Sequence, residues 1–257
     1  MNLSRLEKQR GSRLDCALME RGLCESREKA RRTVLAGQVR VNRQIADKPS
    51  RQVSQKDQIE IQAPERFVSR GGHKLEHALK TFQIDAQGCL AVDLGASTGG
   101  FTDCLLQHGA SRVASVDVGH GQLAWKLRQD PRVICLEKTN ARHLTSRQFP
   151  ADFIPCDLVV VDCSFISLRL ILPVALSLVR HGGRIVALIK PQFEAGKKEA
   201  DRGEGVITDP LIHARILAEL ETFAATLPHS AWRGVTQSPL VGPAGNKEFL
   251  ALLEKIN

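Results

Sequence analysis

"DLGASTGGFTDCLL", residues 93–106, decides the fold: one apolar run ends in Asp93, a turn of small residues comes next, and a second apolar run begins at once. A strand that closes on an acid and passes through a glycine-rich turn into a helix is the opening unit of an α/β sheet. Glycines at 95, 99 and 100 do not follow the G-x-G-x-x-G spacing of a dinucleotide fold. The turn still brings backbone N–H groups to a helix N-terminus, where an anionic group can sit.

Outward from this turn, strand and helix signals alternate. Strands are expected near residues 89–94, 113–118, 133–136, 158–162 and 184–189, with helical stretches such as "TDCLLQHG" and "PLIHARILAELETFAATL" between and after them. "AWRGVTQ" and "KEFLALLE" complete the pattern as an edge hairpin. The expected fold is a Rossmann-like α/β domain, with a doubly wound, mostly parallel seven-stranded sheet and an antiparallel edge hairpin.

The second strand ends in "ASVDVG", placing Asp117 22 residues after Gly95, where a carboxylate can accept both hydroxyls of a ribose. An amino-acid carboxylate fits the turn as well as a phosphate does. A nucleoside with an amino-acid tail satisfies both ends, which points to S-adenosylmethionine. The residues expected to bind it are Asp93, Gly95, Ser97, Thr98, Gly99, Gly100, Phe101 and Asp117, with Asn140 of "TNAR" bracketing the adenine. Packing alone also explains many glycine turns, and a plain polar turn is the alternative for Asn140.

Residues just past the fourth strand narrow the methyl acceptor. Methylation of exocyclic amines calls for an N/D-P-P-Y stretch; this chain has "DCSF" there and contains no tyrosine. Carbon-directed pyrimidine methylation needs a thiolate. Cys156 lies at the wrong end of its strand, and Cys163 reads as a small buried residue. The carboxyl ends of the fourth and fifth strands instead carry Asp162 and Lys190, at the edge where ligands bind in such sheets. Lys74, opening "KLEHALKTF", and Glu248, starting a late antiparallel strand, reach the same edge. Two lysines and two acids suit transfer to a ribose 2′-hydroxyl, with Lys190 orienting the hydroxyl and taking its proton, and Asp162 holding Lys190. Each could also be an ordinary surface charge.

Net charge is +8, and residues 1–62 carry +6 of it. A short basic segment reads as the footprint of a polyanion binder, nucleic acid before membrane. "RLDCALMERGL" and "SREKARRTVLAG" read as two short helices, with Ser26 as an N-cap and Ala30, Val34 and Leu35 facing inward. Arg27 and Arg31 then share an outer face, with Arg32 beside them. "QVRVN" and "DQIEIQ" alternate as half-buried strands do. This spacing resembles the S-four-type RNA-binding module, and the resemblance implies phosphate contacts for Arg27, Arg31, Arg32, Arg40, Arg43 and Lys48. Arg43 stands where that family usually has glycine. The expected organisation is an RNA-binding domain at 1–62, a linker at 63–72 and a methyltransferase domain at 73–257.

"SRGGHKL", "DLGASTGGFTDCLL", "DVGHGQLAW", "LEKTNARHL", "VVDCSFISL", "LIKPQFEAGK" and "GPAGNKEF", in that order, resemble the TlyA (hemolysin A) family, whose catalytic half is similar to the FtsJ-type ribose 2′-O-methyltransferases. The resemblance implies a Lys-Asp-Lys-Glu tetrad at Lys74, Asp162, Lys190 and Glu248. It also implies cytidine 2′-O-methylation in ribosomal RNA, with ribosomal subunits as partners. Phe67 stands where a tryptophan is common in the linker. A non-catalytic RNA-binding assembly factor is the alternative, though a binder need not keep the tetrad. A membrane-lytic haemolysin would need a signal, an apolar span or a strongly amphipathic helix, and none is visible. Seven cysteines without a C-x-x-C pair suit a reducing cytoplasm and indicate neither a disulfide framework nor a metal site. Trp125 and Trp232 are expected in the core, with stacking on a ligand as the alternative, and a monomer is favoured.

Overall fold

The computed structural model describes residues 11–62, 65–196, 199 and 205–257. The chain divides at Arg66 and Phe67 into two compact units.

In the first unit, β1 (Ser12–Arg13) pairs antiparallel with β4 (Gln52–Val53), and β2 (Val39–Val41) lies between β3 (Gln44–Ile45) and β5 (Ile59–Ile61). Helices α1 (Leu14–Glu20) and α2 (Arg27–Leu35) supply Leu14, Ala17, Leu18, Ala30 and Val34 to one small core with Val39, Val41 and Val53. The Ser26 hydroxyl caps α2 by accepting from the Lys29 N–H at 3.2 Å. Leu35 departs from expectation: it is 60 % exposed, because it lies four residues past Arg31 on the outer face of α2, while Ala30, Thr33 and Val34 take the inner one.

The second unit is built on seven strands: β6 (Leu90–Leu94), β7 (Arg112–Val116), β8 (Val133–Leu136), β9 (Cys156–Val161), β10 (Val179–Ile189), β11 (Ser230–Gln237) and β12 (Phe249–Lys255). Their order is β11-β12-β10-β9-β6-β7-β8. From β10 to β8 neighbours are parallel; β12 runs antiparallel between β10 and β11. The fold is therefore the expected one, with the last strand inserted inside the edge.

Alternate residues of each central strand face opposite layers, so strands buried on both sides read as continuous apolar runs. Val159 and Val161 of β9 pack with α6 (Leu168–Leu178) and α8 (Pro210–Thr226), whereas Leu158 and Val160 pack with α3 (Gly71–Thr81) and α4 (Gly100–Gln107). Short helices α5 (Trp125–Arg128) and α7 (Pro191–Glu194) come after β7 and β10.

The expected linker shortens. Phe67 is 2 % exposed inside the second unit, and a Cβ at Gly72 would lie 2.2 Å from its ring. The Val68 N–H donates to Asp103 of α4 at 2.8 Å. Helix α3 also starts at Gly71, three residues before Lys74. Trp232 packs against the core, but Trp125 is 73 % exposed; Leu127 fills the inward position of that short helix. Among the described residues, no helix is long and apolar enough to cross a membrane.

Candidate active site

Sheet order reverses at β6, whose neighbours β7 and β9 lead away in opposite directions, and the crevice beyond such a switch point is where ligands bind. The turn after β6 is shaped for close approach. Gly95 has φ +86° and packs on the Asp162 backbone, where a Cβ would lie 2.9 Å from the carbonyl. Gly99 has φ +93° at the N-cap of α4, and a Cβ there would meet Leu127 at 2.3 Å.

Asp93 is fully buried at the end of β6. Its Oδ2 accepts from the Thr102 N–H at 2.9 Å and the Thr102 hydroxyl at 2.7 Å. Its Oδ1 has no hydrogen-bond partner among the described residues. Burial pushes the Asp93 carboxyl up to about 7, against the Thr102 hydrogen bonds that favour the anion. Asp117, just beyond β7, accepts from the Ser97 N–H at 2.8 Å and the Gly119 N–H at 2.7 Å, so it braces the turn from the neighbouring strand. The Asn140 side chain accepts from the Arg142 N–H at 3.0 Å.

Two cavities open along this edge. One, of about 450 Å³, is lined by Asp117, Asn140, Ser164 and Phe165 among others. The second, of about 420 Å³, is lined by Lys74, Asp93, Thr98, Gly100 and Phe101 among others. Gly95, Ser97 and Asp162 line both, so the two are lobes of one groove. Of the residues expected to hold the cofactor, Gly99 alone lines neither lobe; its missing side chain makes room for Leu127 instead.

The four candidate tetrad residues form two ion pairs. Lys74 Nζ lies 2.5 Å from Glu248 Oε2, with side chains 8 % and 1 % exposed. Glu248 sits immediately before β12 rather than within it, and a Cβ at Gly242 would lie 2.7 Å from its Oε1. Lys190 Nζ lies 2.6 Å from Asp162 Oδ1, and donates to the Ser164 hydroxyl at 2.8 Å and the Asp162 carbonyl at 3.3 Å. The Lys190–Asp162 carboxylate contact is an ion pair without hydrogen-bond angles.

Ser164 was not expected at the site. Its only signal was position, two residues after Asp162. Glu194 of α7 was missed as well: its carboxylate accepts from the Ser167 hydroxyl at 2.6 Å and the Leu168 N–H at 2.7 Å, stitching α7 to the start of α6.

Burial pushes the thiols of Cys163 and Cys156 up to about 12, which removes both as nucleophiles near neutral pH. Among the described residues, no cluster of three His, Cys, Asp or Glu side chains could hold a metal.

On the first unit, Arg27, Arg31, Arg32, Arg43 and Lys48 are exposed, and Arg40 is half-buried with its guanidinium on the Arg43 carbonyl at 3.0 Å. Arg27 also has an internal partner, the buried Asp15, at 3.3 Å. Arg43 occupies the β2–β3 turn at φ +67°, the left-handed conformation that glycine adopts freely.

Residues 67–255 match the FtsJ-like methyltransferase family, and residues 12–59 match the S4 domain. A Bacillus subtilis relative named as an rRNA methyltransferase, YqxC, is 47 % identical over 93 % of this chain and 84 % of its own. The Mycobacterium tuberculosis 16S/23S rRNA (cytidine-2′-O)-methyltransferase TlyA is 45 % identical over 95 % of this chain and 90 % of its own. A solved structure from Streptococcus thermophilus, described as a hemolysin, is 41 % identical, covers 96 % of this chain and 90 % of its own, and superposes with a TM-score of 0.73. With a catalytic unit that matches almost end to end and relatives that align across both units, this chain belongs to the FtsJ-like methyltransferases, in the TlyA/YqxC family that joins them to an S4 domain.

Proposed function

We propose that the protein methylates the 2′-hydroxyl of cytidine in ribosomal RNA with S-adenosylmethionine as donor. The observation that carries this reading is the convergence of two lysine–carboxylate pairs on one groove: Lys74 and Asp162 line the lobe that also holds Asp93 and the glycine turn.

The residues fit the cofactor on two counts. Asp93 Oδ1 is a buried acceptor without a protein partner among the described residues, suited to the ammonium of an amino-acid tail, and Gly95 leaves a cradle that any side chain would fill. Asp117 and Asn140 would hold the ribose and the base at the other lobe. When bound, the cofactor supplies an electrophilic methyl group on a sulfonium.

The chain's own residues do the rest. Lys190 orients the acceptor hydroxyl and takes its proton, and Asp162 fixes Lys190 in place. Lys74 and Glu248 steady the acceptor ribose and its phosphate. Holding the reacting atoms in line supplies much of the rate. The basic face of the first unit, with Arg31, Arg32, Arg43 and Lys48, supplies phosphate contacts that dock the RNA. Such an enzyme works in the cytoplasm, where ribosomal RNA is.

The test is incubation with tritiated S-adenosylmethionine and separate unmodified ribosomal subunits, then nuclease digestion and nucleoside analysis. Label in 2′-O-methylcytidine is expected, and the labelled subunit identifies the substrate. Label on a base would overturn the reading; no transfer despite cofactor binding would favour a non-catalytic assembly factor.

A further inference from the structure

Lys190 is only 9 % exposed and lines neither lobe of the groove, whereas Ser164 is exposed and lines one of them. The serine thus reaches the buried lysine from the wall of the groove, in the lobe that Asp117 and Asn140 also line. Among the described residues, three oxygens surround Lys190 Nζ: Asp162 Oδ1, the Asp162 carbonyl and Ser164 Oγ. The Asp162 carbonyl and Ser164 Oγ accept hydrogen bonds from the ammonium, and the Asp162 carboxylate pairs with it by charge.

A lysine that accepts a proton must first present a lone pair, and its partners must tolerate that form. A carboxylate and a carbonyl can only accept hydrogen bonds; a hydroxyl can accept or donate. An O–H turned onto the neutral amine would fill the one lone pair that must take the proton, so Ser164 serves by accepting: from the ammonium, and from one of the two N–H groups of the neutral amine, which leaves the lone pair for the acceptor hydroxyl. From this geometry we infer that Ser164 is a positioning residue for methyl transfer, holding the Lys190 amine in place in both of its protonation states. The inference rests on the reading of Lys190 as the group that takes the hydroxyl proton.

The surroundings hold this contact rigid. Ser164 belongs to the loop 162–167 after β9, and Lys190 leads into α7 after β10. Two further stitches join these segments: the Phe165 ring packs on Phe193 at 4.9 Å, and Glu194 accepts from Ser167 and Leu168. Among the described residues, the Ser164 side chain makes no hydrogen bond besides the one to Lys190. Its side chain is exposed, so its removal opens no buried cavity.

The experiment compares wild type, Ser164→Ala, Ser164→Thr and Lys190→Ala, full-length, for single-turnover methyl transfer to ribosomal subunits, cofactor Kd and Tm. Ser164→Ala is expected to lose about tenfold to a hundredfold in rate, by analogy with small misplacements of reacting groups. Its KM for RNA and Tm should stay as in wild type and its cofactor Kd within a few fold, and Ser164→Thr should recover most of the rate. A Ser164→Ala rate equal to wild type, beside an inactive Lys190→Ala, would overturn the role of Ser164 alone. Loss of rate accompanied by loss of Tm, without rescue by threonine, would also overturn it and make the serine structural. An active Lys190→Ala would overturn the underlying reading instead.

Discussion

The two lysine–carboxylate pairs share one chemistry in two environments. Lys74–Glu248 is sealed at the acid, which is 1 % exposed, and meets the groove only through Lys74. Lys190–Asp162 opens at the acid, which is 23 % exposed and lines both lobes of the groove, and it adds a serine hydroxyl as a third partner. A sealed pair must stay charged and paired, because an unpaired buried ion is strongly destabilising. An open pair with an adaptable partner can exchange a proton with what binds beside it. The two lysines are about equally buried, so the exposure of the acid, 1 % for Glu248 against 23 % for Asp162, separates the pairs.

The sharpest way to break this contrast is to remove one member of the sealed pair. Glu248→Ala, which leaves the Lys74 ammonium buried, should lose about 3–5 kcal/mol of stability, read as denaturant midpoint or Tm. The double variant Lys74→Met with Glu248→Leu should recover most of that stability and remain inactive. If Glu248→Ala were as stable as wild type, the pair would not be sealed.

Asp93 is a third case, a carboxylate buried with no lysine partner among the described residues. Its folded value of about 7 lies above the unfolded value near 3.8. The fold therefore holds a proton that the unfolded chain has released between those limits. Stability from this group is fully present below the unfolded value and is lost as pH rises through about 7. Asp93→Asn should flatten the pH dependence of stability over that window and raise stability above it; an unchanged slope from about pH 4 to 7 would contradict the assignment.

Asp15 on the first unit lies toward the open end of the same scale. Its carboxylate is buried, but Arg13 and Arg27 are well exposed. Hydrogen bonds from Arg13 hold the Asp15 carboxyl well below the usual carboxylate range, with Arg27 adding to the effect. Its contribution is present above the unfolded value and fades as pH falls through the lower folded one. Arg27→Ala should thus cost about 1 kcal/mol or less, whereas Arg31→Ala should leave stability unchanged and reduce the salt slope of RNA binding by about one. Equal effects of the two substitutions on stability would erase the distinction.

The smallest effect concerns the turn. Arg43→Gly should stabilise the first unit by ~0.5 kcal/mol, the relief of a left-handed arginine less the chain entropy of glycine, and should weaken RNA binding by removing a cation from the basic face. Thermal melts and binding in one salt series separate the two.

How much of this was legible depends on which physics set each feature. The sheet and its glycine turn could be read because apolar runs and small residues directly encode buried strands and close backbone approach. Asp162 and Lys190 could be brought together because both end strands of the same parallel sheet. Lys74 and Glu248, 174 residues apart, could be joined chiefly through family resemblance. Ser164 was hidden because a lone serine in a loop has no periodicity; only the fold shows that its hydroxyl meets a lysine 26 residues later. Arg27 shows a different limit: helical spacing gave the outer face it keeps, but could not show a buried aspartate sharing the guanidinium. Phe67 looked like linker until packing on Gly72 made it core.

The central claim is that the open pair, not the sealed one, handles the proton. Its most direct test is single-turnover methyl transfer by Lys190→Ala at saturating cofactor and RNA, with cofactor Kd and Tm measured on the same preparation. The expected outcome is a rate at least about a hundredfold below wild type, with Tm unchanged and Kd within a few fold. Transfer to the ribose at the wild-type rate would remove Lys190 from the mechanism and contradict the claim.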